Sequence, residues 1–253
     1  MVTTLKQLGK LPHRVDVRTL SLGSYVERDV LPAPPAELDL SAPVIEWPMY
    51  GNDRTGDCTT AAAGHMIEAW TAAAAGSAVE ISDQAVLEAF DAVKIVDPET
   101  GDEGAIELDV LTLWRRQGIG GHRIGAFALV ALADRDLVRV AAYLFGGLYI
   151  GLQLPLSARD QQVWDWTGGY DGPDAPGSWG GHAVDVVGYD ESGLTVVTWG
   201  ALQRLTWSFW ERYCDECWCL VSTDFLAGNG KTPEGFDLAA LEADLRLVTG
   251  GGR

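Results

Sequence analysis

The sequence predicts an α+β fold, with helices first and an antiparallel sheet after them. Three observations carry this expectation. Alanine-rich and amphipathic helical patterns fill the chain up to about residue 145. Apolar, β-branched runs punctuated by Gly and Pro dominate from Gly146 onward. A hydrophobic content of 47% over 253 residues is enough for one large core or two closely joined lobes.

Residues 1–47 read as an extended arm lying across a globular body, because "VLPAPPAELDLSAPVIEWP" is Pro-rich and has little periodicity. The body, 48–226, divides into a helical half (48–145) and a sheet half (146–226). Its first helix is "GDCTTAAAGHMIEAWTAAAAG", starting near Asp57 and stopping at Gly76. In "ISDQAVLEAFDAVKIV", Ser82 is an N-cap and Ala85, Val86, Ala89, Phe90 and Val93 recur at helical spacing. "ELDVLTLWRRQGI" is a third helix ended by Gly118, and "DRDLVRVAAYLF" a fourth. The strands follow: "GGLYIGLQLP", then "GGHAVDVVGYD" and "LTVVTWG" joined by the turn "DESG". "TWSFWERY" is a short helix capped by Thr206, with Cys214 at its end, and "CWCLVST" is another strand. Residues 227–253 form a last helix and a loose tail.

Charge narrows the function classes. With 36 acidic and 18 basic residues the formal net charge is −18, a field that repels phosphate backbones and anionic lipid. Neither a nucleic-acid nor a membrane partner is expected. There is no apolar run of spanning length and no secretory layout at the start, so the chain reads as soluble and cytoplasmic, although delivery by another machine is compatible with it. No cofactor is expected. Of the four cysteines, Cys214, Cys217 and Cys219 crowd together without a second CxxC or a nearby His, which argues against zinc. Cys58 stands alone where a polar loop becomes a helix. The macrodipole there favours a thiolate, and a neighbouring imidazolium would favour it further.

Four histidines are candidates for that neighbour. His13 lies in the arm and is expected to be solvated. His65 shares the helix of Cys58 but sits ~10 Å along its axis. His122 follows a Gly pair in a loop. His182 opens a strand after "SWGG", where glycines permit close backbone approach.

"GDCTTAA" and, much later, "HAVDVVGYD" together resemble the papain-like cysteine peptidases. In that family a polar loop delivers a Cys to the start of a long central helix, and a later strand reads His-Ala-Val followed by Val-Gly-Tyr. "ISDQAVLEAF", "DEGAIELDVLTLWRRQGI" and "GGLYIGLQLP" are similar to lesser landmarks, so the resemblance runs from about Trp47 to Val221. It implies a papain-like fold with a cleft between the halves. Cys58 is then the nucleophile and His182 the base. Asn52 takes the place of the family's oxyanion Gln, against the competing role of a turn residue in "YGND". The family's His-orienting Asn is absent. Val197 or Thr198 takes its place depending on the direction of counting, and Thr198 has the hydroxyl to accept from the imidazole. Asp185 and Asp190 are the alternatives, although strand alternation turns Asp185 away from His182. Trp199 and Trp179, with Gly56 and Gly181, would form cleft walls.

The implied activity is hydrolysis of peptide or isopeptide bonds in a peptide or protein substrate. Two alternatives stand beside it. One is a papain scaffold serving as a structural or binding part of a larger assembly, with a partner covering exposed Trp164, Trp166 and Trp179. The other is a cell-wall peptide hydrolase, since "DCTT" loosely resembles the Asp-Cys-Ser-Gly of such enzymes.

Overall fold

The computed structural model describes residues 6–24 and 33–225. The helix and tail expected over 227–253 lie outside the described residues. The first-half helices are α1 (Cys58–Ala75), α2 (Asp83–Asp91), α3 (Glu107–Arg116) and α4 (Arg135–Phe145). A short α5 (Trp207–Tyr213) lies among the later strands. The strands are β1 (Leu38–Asp39), β2 (Ile95–Val96), β3 (Glu103–Gly104), β4 (Ile124–Leu129), β5 (Leu148–Leu154), β6 (Val163–Trp164), β7 (Gly180–Tyr189), β8 (Gly193–Thr198), β9 (Ala201–Thr206) and β10 (Cys214–Ser222).

Local chemistry sets the helix ends where the sequence places them. The Ser82 side chain accepts from Ala85 N–H, the Asp134 side chain from Leu137 N–H and the Thr206 side chain from Phe209 N–H, so three helices begin on side-chain caps. Gly76 and Gly146 end α1 and α4 in the left-handed conformation, at φ 77° and 71°. Cys214 ends α5 as the sequence places it. It is the C-cap of α5, and its extended backbone (φ −78°, ψ 127°) already starts β10.

The main sheet runs β4-β10-β5-β7-β8-β9-β6, with β1 added to β7. Its pairings are antiparallel except β6 with β9. β4 and β9 were not foreseen from the sequence. "IGAFAL" and "ALQRL" are short and half-exposed, and their strand character comes from pairing with β10 and β8.

α1 is the central helix. It is apolar almost all round, and every residue from Cys58 to Ala72 is buried, as expected of a helix packed on all sides. It lies against β7, a strand buried on both faces from His182 onward. This packing brings the N-terminus of α1 to the start of β7. Among the described residues no helix is long and apolar enough to cross a membrane.

Candidate active site

Cys58 is the first residue of α1 and is 1% exposed. Its sulfur accepts the Ala183 backbone N–H at 3.5 Å, so the residue after His182 touches the thiol directly. The His182 ring is buried, and its Nε2 lies 2.6 Å from Thr198 Oγ1. Its Nδ1 has no hydrogen-bond partner. Of the residues weighed as a partner for the imidazole, Thr198 is the one in contact. Val197 is apolar, and Asp190 is bound to Arg204 at 2.8 Å. Asp185 is fully buried, and neither of its oxygens has a hydrogen-bond partner.

Trp199 stacks on the imidazole, with ring centroids 4.2 Å apart and planes 14° apart. It does so from a turn in which Trp199 (φ 46°) and Gly200 (φ 72°) are both left-handed, the two-residue pattern that joins β8 to β9. Trp179 leans on Trp199 at 5.5 Å and is half-buried. Two of the three tryptophans expected to await a partner therefore belong to this cluster. Trp164 is the correction. It is 1% exposed, stacked on Phe209 and edge-on to Trp199, because β6 carries it into the core. Trp166 is half-buried against Tyr170.

Asn52 is placed differently from an oxyanion donor. It is buried, and its Nδ2 donates to Thr55 O and Asp57 Oδ1, both at 3.1 Å. Both amide hydrogens are therefore spent within the loop. That is the competing turn role, and the shorter side chain explains it: one methylene less than Gln keeps the amide among its own loop's acceptors. Burial pushes Asp57 up to about 7, against the Asn52 hydrogen bond, which lowers it.

The thiolate that the helix dipole favours is opposed here by burial. Burial raises the Cys58 thiol to about 12, outweighing the Ala183 and Gly9 N–H groups that favour the anion. Burial, with Lys6 adding to it, lowers His182 to about 3. Burial on this scale favours the neutral thiol and the neutral imidazole by keeping solvent off both.

What excludes it is the arm. Residues 6–11 run through the cleft as an extended strap. Gln7 N–H donates to Asn52 O (3.1 Å), and Trp199 Nε1 donates to Gln7 O (3.0 Å). Gly9 and Lys10 N–H both donate to Gly181 O, at 3.3 and 3.1 Å. On the other wall Ala105 N–H donates to Gly9 O (2.8 Å), and Leu11 N–H donates to Ala105 O (2.9 Å), a parallel bridge. Gly56 and Gly181 do line the cleft, and their missing side chains are what let the strap in. A Cβ on Gly181 would fall 2.1 Å from Lys10 O, and one on Gly9 would fall 1.8 Å from Gly56 O.

The remaining histidines sit apart from the thiol. His65 is buried with Nε2 2.8 Å from Pro48 O, and His122 pairs with Asp224 at 3.0 Å. His13 is half-buried rather than solvated, edge-on to Trp218. Among the described residues no cluster of three or more His, Cys, Asp or Glu is arranged to hold a metal ion.

Sequence reasoning missed the walls that grip the strap, Gly104 and Ala105, and the acids around Lys10, the buried Glu107 and Glu216 and the half-buried Asp215. Glu216 left a signal, as an acid inside the otherwise apolar run "ECWCLV". The bridge at Ala105 left none.

No family model and no curated protein matches the chain by sequence. Solved structures do match it by shape. Xylellain, a cysteine protease from Xylella fastidiosa, superposes with a TM-score of 0.64 at 17% identity over 86% of this chain and 97% of that one. Procathepsin B S9 from Trypanosoma congolense gives 0.58 at 12% identity, over 86% and 87%. The ragweed Amb a 11 cysteine protease in its proform gives 0.55 at 19% identity, over 76% and 68%. The architecture of this chain, a buried helix led by Cys58 and set against an antiparallel sheet, is the papain-like cysteine protease fold.

Proposed function

We propose that the protein is a papain-like thiol hydrolase of peptide or isopeptide bonds, held latent by its own residues 6–11. The observation that carries this reading is the contact of Cys58 Sγ with the backbone beside His182, whose Nε2 is fixed by Thr198. In the first turn of α1, Thr60 and Ala61 N–H donate back to Asp57 O, and the Cys58 N–H has no acceptor within the helix.

With the strap displaced, water and substrate enter and the burial that keeps both groups neutral is relieved. The proton then passes from the thiol to His182 Nδ1, giving a thiolate at the positive end of α1 and an imidazolium braced by Thr198. The thiolate attacks the carbonyl carbon. The resulting oxyanion is met by the Cys58 N–H, and by Asn52 if its amide turns away from Thr55. His182 returns its proton to the leaving amine, and water then releases the acyl group from the sulfur.

The strap is also what a peptide in this cleft has to replace, since it already satisfies the backbone groups of Gly181 and Ala105. The test is thiol alkylation followed by mass spectrometry on the full chain and on Gly9→Val, in which the added side chain cannot pass Gly56. Cys58 is expected to be protected in the full chain and to react with iodoacetamide at least tenfold faster in the variant. The variant should also cleave casein, and Cys58→Ala in the same background should not. A Gly9→Val protein that alkylates quickly but cleaves nothing would favour the second reading, a binding scaffold, for which the neutral thiol and occupied cleft are the permanent state.

A further inference from the structure

Lys10 is the residue of the strap that leaves the cleft floor and goes down into the body. Its side chain is 0% exposed, with Nζ 2.9 Å from Asp215 Oδ2 and 2.8 Å from Glu216 Oε1. Asp215 and Glu216 come from β10, and a third carboxyl, Glu107, comes from the start of α3. Glu107 and Glu216 are fully buried and share one donor, the Trp218 indole N–H, at 3.0 Å to each. Glu107 Oε1 has no hydrogen-bond partner at all. Gln153 Nε2 holds Asp215 Oδ2 at 2.7 Å. The shaft of Lys10 passes over Gly151, where a Cβ would fall 2.0 Å from Lys10 Cε. The pocket is therefore deep, narrow and acidic, and it is open only because position 151 carries no side chain.

Its charge balance is lopsided. Among the described residues the body supplies two fully buried carboxyl groups, Glu107 and Glu216, and a third, Asp215, whose side chain is 24% exposed. The ammonium that faces them, Lys10, belongs to the strap, and the arm's His13 Nε2 lies 3.8 Å from Glu216 Oε2. Burial and the neighbouring Glu216 hold Glu107 well above the usual carboxylate range, against the opposing pull of Lys10. Withdrawing Lys10 leaves Glu216, whose side chain is fully buried, without its ammonium partner in a low-dielectric site, a strongly unfavourable state. These acids are not arranged as a metal-ligand set. What fits the depth, the width over Gly151 and the charge is an ammonium or guanidinium on a long methylene stem.

We propose that this pocket, formed by Glu107, Asp215, Glu216 and Gly151, is the specificity pocket of the cleft, that it selects substrates with a lysine or arginine side chain, and that Lys10 occupies it as the strap's own mimic of that residue. The proposal rests on the hydrolase reading for its cleavage test but not for its binding test.

Binding is measured by calorimetry on the Gly9→Val chain with a synthetic peptide of residues 6–13, carrying at position 10 either lysine or its uncharged near-isostere norleucine. Lys10→Gln, in which the strap loses its own cation, serves as a second full-chain background should Gly9→Val fold poorly. The lysine peptide is expected to bind at least tenfold more tightly, with Glu216→Gln removing most of that difference and Gly151→Leu weakening both peptides. Cleavage is measured on quenched peptides in which one lysine or norleucine is moved through the positions flanking the scissile bond. Lysine should raise kcat/KM at least tenfold at one position, and Glu216→Gln should level the two. Equal binding of the two peptides overturns the pocket assignment, whatever is cleaved. Selective binding with no cleavage of any peptide supports the pocket and overturns the hydrolase reading instead.

Discussion

Thr198 meets His182 through a hydroxyl, and the contact is short, 2.6 Å to Nε2. A hydroxyl can accept this N–H as an amide oxygen does, but it holds the ring through one rotatable bond. Thr198→Val leaves a buried ring nitrogen unpaired, at a cost of about 1–3 kcal/mol in stability. In the strap-released background it should also lower kcat tenfold or more with little change in KM, while Thr198→Ser keeps most of the rate. Steady-state kinetics on the three proteins, with urea unfolding alongside, would check both parts, and an unchanged rate in Thr198→Val would remove the positioning role. Asp57 gives a separate prediction in pH. Its folded value of about 7 lies above the ordinary carboxylate value of roughly 3.9, so between those values the native state keeps a proton that the unfolded chain has lost. Stability therefore falls as pH rises through this window, by about 4 kcal/mol once above it. Asp57→Asn keeps the acceptor for Asn52 and removes the titration. The variant should gain on the parent protein from pH 4.5 to pH 8 in urea-unfolding midpoints, and a constant difference would contradict the assignment.

At the scale of elements, α1 and the strap pull the cleft in opposite directions. α1 is over-determined: it is buried along most of its length, and Gly64 lies flat under Tyr50, whose hydroxyl donates to Glu68 at 2.7 Å. A Cβ at Gly64 would fall 2.7 Å from the Tyr50 ring. Gly64→Ala should cost about 1–3 kcal/mol through overpacking, despite the better helix propensity of alanine, as read from the thermal midpoint. The strap has no helix and no apolar core of its own. It is held by backbone hydrogen bonds to Gly181, Ala105 and Asn52, by the Trp199 indole and by Lys10. That makes it the element a single side chain can dislodge, and Gly9→Val should expose Cys58 while the circular dichroism stays native and the thermal midpoint falls, because Lys10 leaves Glu216 with the strap.

At the scale of the whole molecule, the arm is more than a lid. Beyond the strap, Leu20 O accepts Leu129 N–H on β4, and β1 pairs Leu38 with Tyr189 and Asp39 with Gly188 on β7. Leu22 and Leu40 are buried, at 4% and 5% exposure. Removing residues 1–40 strips these contacts together. The loss of two buried leucines alone comes to about 3–6 kcal/mol, a large part of the 5–15 kcal/mol typical of a domain. Such a truncation should unfold or aggregate on expression, as circular dichroism and size-exclusion chromatography would report. A folded and merely activated product would show that the arm beyond residue 12 is dispensable.

The sequence by itself determined the helix ends and the places of Cys58 and His182. Ser82, Asp134, Thr206, Gly76 and Gly146 act within a few residues of themselves, so their roles are written locally and could be read there. Cys58 and His182 were legible because each sits at the start of an element whose type its own neighbours set. Tertiary structure decided the rest. The edge-like strands β4 and β9 exist because β10 and β8 offer them partners, and Trp164 is buried because β6 places it under Phe209. Asn52 was assigned by distance along the chain, but its amide found acceptors in its own loop, a choice only packing can make. The acidic pocket is the plainest case. Glu107, Asp215, Glu216, Gly151 and Lys10 come from four separate stretches, and no spacing links them. Their meaning lies in one buried charge balance, which comes into being only when the chain has closed on itself.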